Sequence, residues 1–405
     1  MARYLAYTSP ARGHLYPIVA TLLELRDRGH QVHVRTLASE VLALRGLGLE
    51  AEAIEPSIEA LPLDDWRWST PIEALAGGLR TFAERATHEV PDLQHAIAQV
   101  DPEVLLVDVT TVGATAVAES TGLPWAQSIP FFQHFGLVPG EVLEPTLIPF
   151  TLAPAGMDVL NEPRLRIGLP PVTDPTDAWR APLYLYYTAP PFEVTEFGLP
   201  ASFRLVGPGL WEPPAEAPDW LDDIDAPLVL VTASSEFQRD DALIEVALEA
   251  MRAEDVRVVV TTAAHDPDRF DRPPNARVVR WLPHGPVLRK AACVVCHGGM
   301  GITQKALAAG VPVCVVPFGR DQSEVARRVT DADGGTMIMP DDLDPASLRT
   351  AIRTAMSMRP GAERIAAGFA RAGGAPAAAD ALESMYATAL KASEVEVGHA
   401  ATPAV

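Results

Sequence analysis

The stretch from Cys296 to Gln322, C-H-G-G-M-G-I-T-Q-K-A-L-A-A-G-V-P-V-C-V-V-P-F-G-R-D-Q, restricts the fold of this chain more than any other part of its sequence. Residues 292–296 form an apolar run that reads as a buried strand and delivers His297 to its end. Gly298, Gly299 and Gly301 let the backbone approach a ligand closely, and a helix predicted to begin at Gly298 turns free N–H groups and its positive dipole end toward the same point. Such an N-terminus, which includes Met300, holds a phosphate. Gly310, Val311 and Pro312 then turn the chain into a second buried strand over residues 313–316, whose exit carries Asp321 and Gln322. Both side chains suit the bonding of vicinal hydroxyls. A phosphate seat with a hydroxyl reader about twenty residues on suggests a sugar nucleotide.

Apolar and amphipathic runs alternate along the rest of the chain. In the first half, strands are predicted over residues 3–8, 31–36, 50–55, 104–108 and 125–129, with helices over 15–28 and 112–120. Ile18, Val19, Leu22 and Leu25 line one face of the first helix, which Gly29 closes. The second half repeats the layout with strands over 227–232, 256–261, 277–280, 292–296 and 313–316. Alternation of this kind gives parallel sheets covered by helices on both faces. At 405 residues and 48% hydrophobic content the chain suits two cores better than one, since single cores rarely grow beyond roughly 250–300 residues. The predicted class is therefore α/β with two doubly wound, Rossmann-like domains, residues 1–206 and 227–375. Residues 207–226 link them and open with a stretch that is half proline and glycine. A final helix is predicted over 376–392, with the remainder to Val405 frayed.

A formal charge of −21 opposes binding to nucleic acid or to an anionic membrane by bulk electrostatics. Three cysteines cannot form a disulfide framework, and Cys293 and Cys296 on one strand point to opposite sides, which favours burial over redox or metal chemistry. The N-terminus enters a strand directly, and no run of about eighteen apolar residues occurs. The expectation is a cytoplasmic protein, monomer or homodimer, with small-molecule partners and no membrane attachment.

Two residues suit acid–base work. His14 lies in the turn after the first strand, before a helix predicted to start at Pro17, and Asp108 ends the strand over 104–108, so both sit at the carboxyl edge of one sheet. An imidazole bonded to a carboxylate is held in one tautomer and can take a hydroxyl proton. Read alone, His14 could equally be a packing residue and Asp108 a helix cap. Glu40, Glu119 and His134 are further candidates without comparable context. A dinucleotide-binding dehydrogenase would carry G-x-G-x-x-G after the first strand, where this chain reads Ser9-Pro-Ala-Arg-Gly-His-Leu-Tyr-Pro. Trp66, Trp68, Phe131, Phe132, Phe135 and Phe150 make the middle of the first domain aromatic, as core or as the lining of a cleft for a large apolar ligand.

The run from His297 to Gln322 resembles the nucleotide-sugar signature of GT-B glycosyltransferases of the plant and antibiotic-modifying group, H-G-G-x-G-T-x-x-E-A-L-x-x-G-V-P followed by D-Q. The resemblance implies two domains facing a central cleft, with the last helix crossing back to the first domain. It implies that His14 is the base and Asp108 its partner. It implies too that Trp281 stacks the nucleobase, that the backbone from Leu282 bonds it, and that Ser234 and Ser235 touch the phosphates. His297, Gly299, Met300 and Gly301 would hold the diphosphate, and Asp321 and Gln322 the sugar. Two positions depart from the signature: Lys305 stands where Glu accepts both ribose hydroxyls, and Val325 where Asn is usual. A donor without the 2′-hydroxyl, a dTDP-sugar, thereby gains ground beside UDP-glucose.

The activity so implied is inverting, metal-independent O-glycosyl transfer to a hydroxyl of a bulky natural product such as a macrolide or ansamycin, with no cofactor beyond the donor. No Asp-x-Asp pair stands at a strand end. A sugar-nucleotide epimerase, or a binding partner that keeps the fold without transfer, is the alternative.

Overall fold

A computed structural model of the chain describes residues 1–68, 70–131, 154–174, 180–194 and 199–400. Its first part runs β1 (Arg3–Tyr7), α1 (Arg12–Asp27), β2 (Gln31–Thr36), α2 (Val41–Gly46), β3 (Glu50–Ala53), α3 (Pro56–Glu59), α4 (Pro71–Val100), β4 (Val104–Asp108), α5 (Val112–Ser120), β5 (Trp125–Ile129), α6 (Pro154–Arg166), β6 (Leu183–Tyr186) and β7 (Phe203–Leu205). The second runs β8 (Leu228–Thr232), α7 (Asp241–Met251), β9 (Arg257–Thr261), β10 (Ala276–Val279), α8 (His284–Leu288), β11 (Ala291–Cys296), α9 (Met300–Ala308), β12 (Val313–Val315), α10 (Gln322–Asp331), β13 (Gly335–Met337), α11 (Pro345–Ser357), α12 (Arg359–Ala372) and α13 (Gly374–Ala400).

Among the described residues the strands form two parallel sheets, ordered β3-β2-β1-β4-β5-β6-β7 and β10-β9-β8-β11-β12-β13. Each is doubly wound: the chain starts in the middle, winds to one edge and returns to the centre. The winding reverses between β1 and β4 in the first sheet and between β8 and β11 in the second, and ligands bind outside the carboxyl ends of such strand pairs.

Both faces of each sheet are covered, which is why the central strands read as continuous apolar runs. Tyr4 and Ala6 of β1 pack with Leu15 and Leu22 on one side, while Leu5 and Tyr7 pack with Leu93 and Val117 on the other. Leu228 and Leu230 of β8 meet Met300 and Ala306, and Val229 and Val231 meet Leu243 and Leu348. Cys293 and Cys296 fall on opposite faces of β11, buried and unpaired, and pack as small hydrophobes.

Several elements differ from the sequence expectation. α1 starts at Arg12, so His14 belongs to its first turn and Pro17 lies inside the helix instead of opening it. Pro17 removes only the N–H that would reach the Gly13 carbonyl, close to the helix start. Gly209 of the linker packs directly on its backbone, where a Cβ would come within 2.2 Å. α9 starts at Met300, leaving Gly298 and Gly299 outside the helix. β6, β7 and β13 are too short for a legible period. α4 opens with a capping box between Thr70 and Glu73, but Gly77, Gly78 and Pro91 obscure its helical pattern in the sequence. α13 continues to Ala400 instead of fraying after residue 392, because no proline interrupts it before Pro403.

The two sheets are tied together behind the crevice. From α13, Ala378, Ala379 and Leu382 are buried with the first sheet's helices, and Arg28 bonds Asp380 and Glu383, each at 2.6 Å. In return Ala189 and Phe192, which follow β6, belong to the second core, and Glu193 pairs with Arg328 of α10 at 3.0 Å. Among the described residues no helix is long and apolar enough to cross a membrane.

Candidate active site

A cavity of about 1300 Å³ lies between the two sheets, lined by residues after β1, β4 and β5 on one side and after β8, β10, β11 and β12 on the other. On the first side, parallel pairing of β1 with β4 brings the start of α1 beside the end of β4. His14 Nδ1 there meets Asp108 Oδ2 at 2.8 Å. Asp108 is fully buried, and its Oδ1 accepts hydrogen bonds from the Thr110 N–H at 2.8 Å and the Thr110 hydroxyl at 2.5 Å. The carboxylate is thus fixed as an acceptor and holds the neutral imidazole with its proton on Nδ1, leaving the Nε2 lone pair for a ligand. Burial disfavours the imidazolium, but the charge and hydrogen bond of Asp108, with Glu236 across the cavity, outweigh it against the opposing charge of Arg320. His14 therefore titrates above its ordinary range.

On the second side, β11 delivers His297 onto the start of α9. Gly298 adopts φ +93°, and its Cβ would meet Val315 at 2.8 Å; a Cβ on Gly299 would lie 2.4 Å from His297 Nε2. Only glycine fits both positions. α9 has no side-chain cap, and Met300, Gly301 and Ile302 of its first turn line the cavity, so its unpaired N–H groups are available to an anion. His297 is buried, its Nδ1 lies 4.0 Å from Asp240 Oδ2, and that nitrogen has no hydrogen-bond partner among the described residues. Burial, with the charge of Arg320, outweighs the attraction of Asp240 and a backbone hydrogen bond at Thr232 and keeps His297 below its ordinary value, favouring the neutral form.

A polar network that the sequence did not reveal ties this side together. Buried Asp240 accepts from the Ser234 N–H at 2.6 Å and bonds His265 Nε2 at 2.8 Å. Ser234 Oγ accepts from Gln238 at 2.8 Å, and Gln238 in turn accepts from Gln322 Nε2 at 2.5 Å. Gln322 Oε1 takes the Phe318 and Gly319 N–H groups at 2.7 and 3.2 Å. The amide of Gln322 is largely consumed in pinning the loops after β8 and β12, leaving one N–H uncommitted. Asp321, Ser235 and Trp281 line the cavity, with Trp281 53% exposed, while Leu282 is buried beside it.

The predicted aromatic lining divides. Phe131 lies 5.6 Å from the His14 ring, and Trp66 lines the cavity edge-on to Phe237 at 4.9 Å. Trp68 does not reach the cavity: its indole packs over Gly77, in a separate small hollow. Phe132, Phe135, His134 and Phe150 lie outside the described residues. Glu40 is held by Arg12 at 2.7 Å and Tyr16 at 3.1 Å, and Glu119 by Arg164 and Arg180, so both carboxylates are committed to structure. Across the cleft Arg320 grips Asp65 with two bonds of 2.8 and 2.9 Å, a contact between residues 255 apart that no local pattern announces.

A family model described as the C-terminal domain of the erythromycin biosynthesis protein CIII-like group matches residues 245–380. The 4'-demethylrebeccamycin synthase of Lentzea aerocolonigenes is 31% identical over 390 residues, spanning 88% of this chain and 92% of the relative. The chain belongs to the GT-B glycosyltransferases of family 1. Within that family it is of the antibiotic and natural-product type. Solved structures agree on the fold: CalG4, the calicheamicin glycosyltransferase, matches with a TM-score of 0.75 at 21% identity over 96% of this chain and 99% of that one. The glycosyltransferase VinC, solved in complex with dTDP, matches with 0.72 at 22% identity over 96% and 100%. Of the two readings open at the outset, glycosyl transfer is the family's.

Proposed function

We propose that this glycosyltransferase moves a hexose from a nucleoside-diphosphate sugar to a hydroxyl of a bulky apolar natural product, with inversion and without a metal. The observation that carries the reading is the His14–Asp108 pair opening onto the same cavity as the uncapped start of α9 and His297. His14 Nε2 takes the acceptor's hydroxyl proton as that oxygen attacks the anomeric carbon, and Asp108 stabilises the imidazolium that forms. The bond from the anomeric carbon to the phosphate oxygen breaks on the opposite face, so one displacement inverts the configuration. The leaving diphosphate collects its negative charge at the α9 N–H groups and neutral His297, the role a divalent cation would otherwise take. Trp281 is proposed to stack the base, and Asp321 with the remaining Gln322 N–H to bond the sugar.

A dTDP-hexose is favoured over UDP-glucose, on the loss of the ribose-reading Glu at Lys305; the dTDP complex of VinC points the same way. The acceptor reading rests on the apolar lining of Leu79, Phe82, Phe131 and Trp66 and on the antibiotic products in the relatives' names. The reaction is proposed to run in the cytoplasm with the donor as sole co-substrate. Incubation with UDP- and dTDP-hexoses and a panel of macrolides, ansamycins, flavonoids and simple phenols, read by mass, tests it. A bulky polycyclic or macrocyclic acceptor should gain one hexose, with the rate unchanged by chelator. Mass gain confined to small sugars or proteins would contradict the acceptor, and loss of activity in chelator the metal-free step.

A further inference from the structure

One face of α4 is turned to the cavity: Ala74, Gly78, Phe82 and Arg85, at helical spacing, line it together with Leu79. Arg85 is the charged member of that stripe, and it is only 7% exposed. Its Nε and Nη2 both donate to the Leu61 carbonyl, at 2.9 and 2.5 Å. Among the described residues Nη1 has no hydrogen-bond partner, and it is not enclosed by protein atoms. Around it the wall is apolar, with Leu79, Ala86 and Val112 in one cluster. Gln127, which bonds Thr115 at 2.8 Å on the same wall, adds polar groups but no charge.

The charge of Arg85 is only partly met. Glu89 and Glu236 attract it without a direct hydrogen bond, Arg320 opposes them, and burial outweighs the attraction, so Arg85 titrates below its ordinary value. Glu89 is a poor counterion besides: it accepts the Gly113 N–H at 2.8 Å, and burial pushes its carboxyl up to about 8, so near neutrality it is largely protonated. Arginine itself stays charged. A buried cation with an open N–H is unfavourable until an anion reaches it, and in an apolar wall that contact is a strong one. We propose that Arg85 is an anion-reading contact of the acceptor pocket, and that the acceptor carries an ionised oxygen group, a carboxylate or an acidic enol or phenol, besides the hydroxyl that is glycosylated. The proposal rests on taking this half of the cavity as the acceptor's, as above. The bulk charge of −21 repels anions, so a preference for one has to arise locally.

Calorimetry on the full chain with a hydroxynaphthoate and the matching hydroxynaphthamide, each with and without saturating dTDP, tests it, because the two probes share a shape and differ in charge. The wild-type protein should bind the acid about tenfold more tightly than the amide, in the presence of dTDP as in its absence. Arg85→Met should remove that preference in folded protein. Equal binding of acid and amide by the wild type would overturn the proposal whether or not the variant folds, and leave the acceptor reading of the cavity standing. A folded Arg85→Met that keeps the ratio would overturn it too, as would an acid that binds only without dTDP, since the anion would then occupy the diphosphate seat. Binding of neither probe would overturn the acceptor reading and the proposal with it.

Discussion

Each half of this molecule places a histidine beside its sheet's switch point with an aspartate buried near it, and the two pairs behave in opposite ways. In the first domain His14 touches Asp108 at 2.8 Å and titrates above the ordinary histidine range. In the second, His297 stands 4.0 Å from Asp240 and titrates below it. Desolvation works against the charged form in both: at His14 the charge and hydrogen bond of Asp108 overcome it, whereas at His297 the more distant Asp240 and a backbone hydrogen bond at Thr232 do not overcome burial and the charge of Arg320. Asp240 spends its acceptors on Ser234 and His265, whereas Asp108 keeps one oxygen for His14. One histidine is thereby held where protonation is favoured and the other is kept neutral beside the start of α9.

Removing His14, the proposed base, should break the comparison most severely. His14→Ala is expected to lower kcat by roughly 10²–10⁴-fold, while donor affinity by calorimetry stays within about twofold. A smaller change is expected at the other histidine. His297→Ala should raise the donor KM about tenfold, with the pH profile of kcat unmoved, because the role proposed for His297 involves no proton transfer. The smallest effect belongs to the aspartate that stands off. Asp240→Asn should raise the donor KM only about threefold, through a loosened Ser234 turn, and leave the pH dependence as it was. Initial-rate kinetics over donor concentration at several pH values separate the three variants, and a shifted pH limb in Asp240→Asn would show that the two pairs are equivalent after all.

The donor face was the more legible in the sequence because Cys296 to Gln322 is one contiguous strand–helix–strand unit, whose glycines, proline and apolar runs each carry a local meaning. His14 and Asp108 were legible for a related reason: each lies next to a strand end, and parallel pairing of β1 and β4 brings strand ends together. What escaped was the set of contacts between segments that only the folded chain brings together. Arg320 meets Asp65 across the cleft and Lys305 of α9 meets Glu212 of the linker, contacts between segments far apart in the chain that no local period announces. The place of Gln322 after β12 suits a sugar ligand, but its amide is mostly turned inward by Gln238 and two backbone N–H groups. Trp68, expected beside the cleft, instead covers Gly77 in a separate hollow.

The pH dependence of kcat/KM in the wild type and in Asp108→Asn tests the central claim most directly. With His14 as the proposed base, its neutral form is the active one, so the rate should rise with pH along a limb whose midpoint lies above the ordinary value of 6.5, held there by Asp108. Asp108→Asn removes the raising charge and leaves the burial that lowers the pKa, so the limb should move to lower pH while the plateau rate falls. A wild-type profile with no limb near neutrality, or a limb that stays in place in Asp108→Asn, would contradict the assignment of His14 as the base held by Asp108.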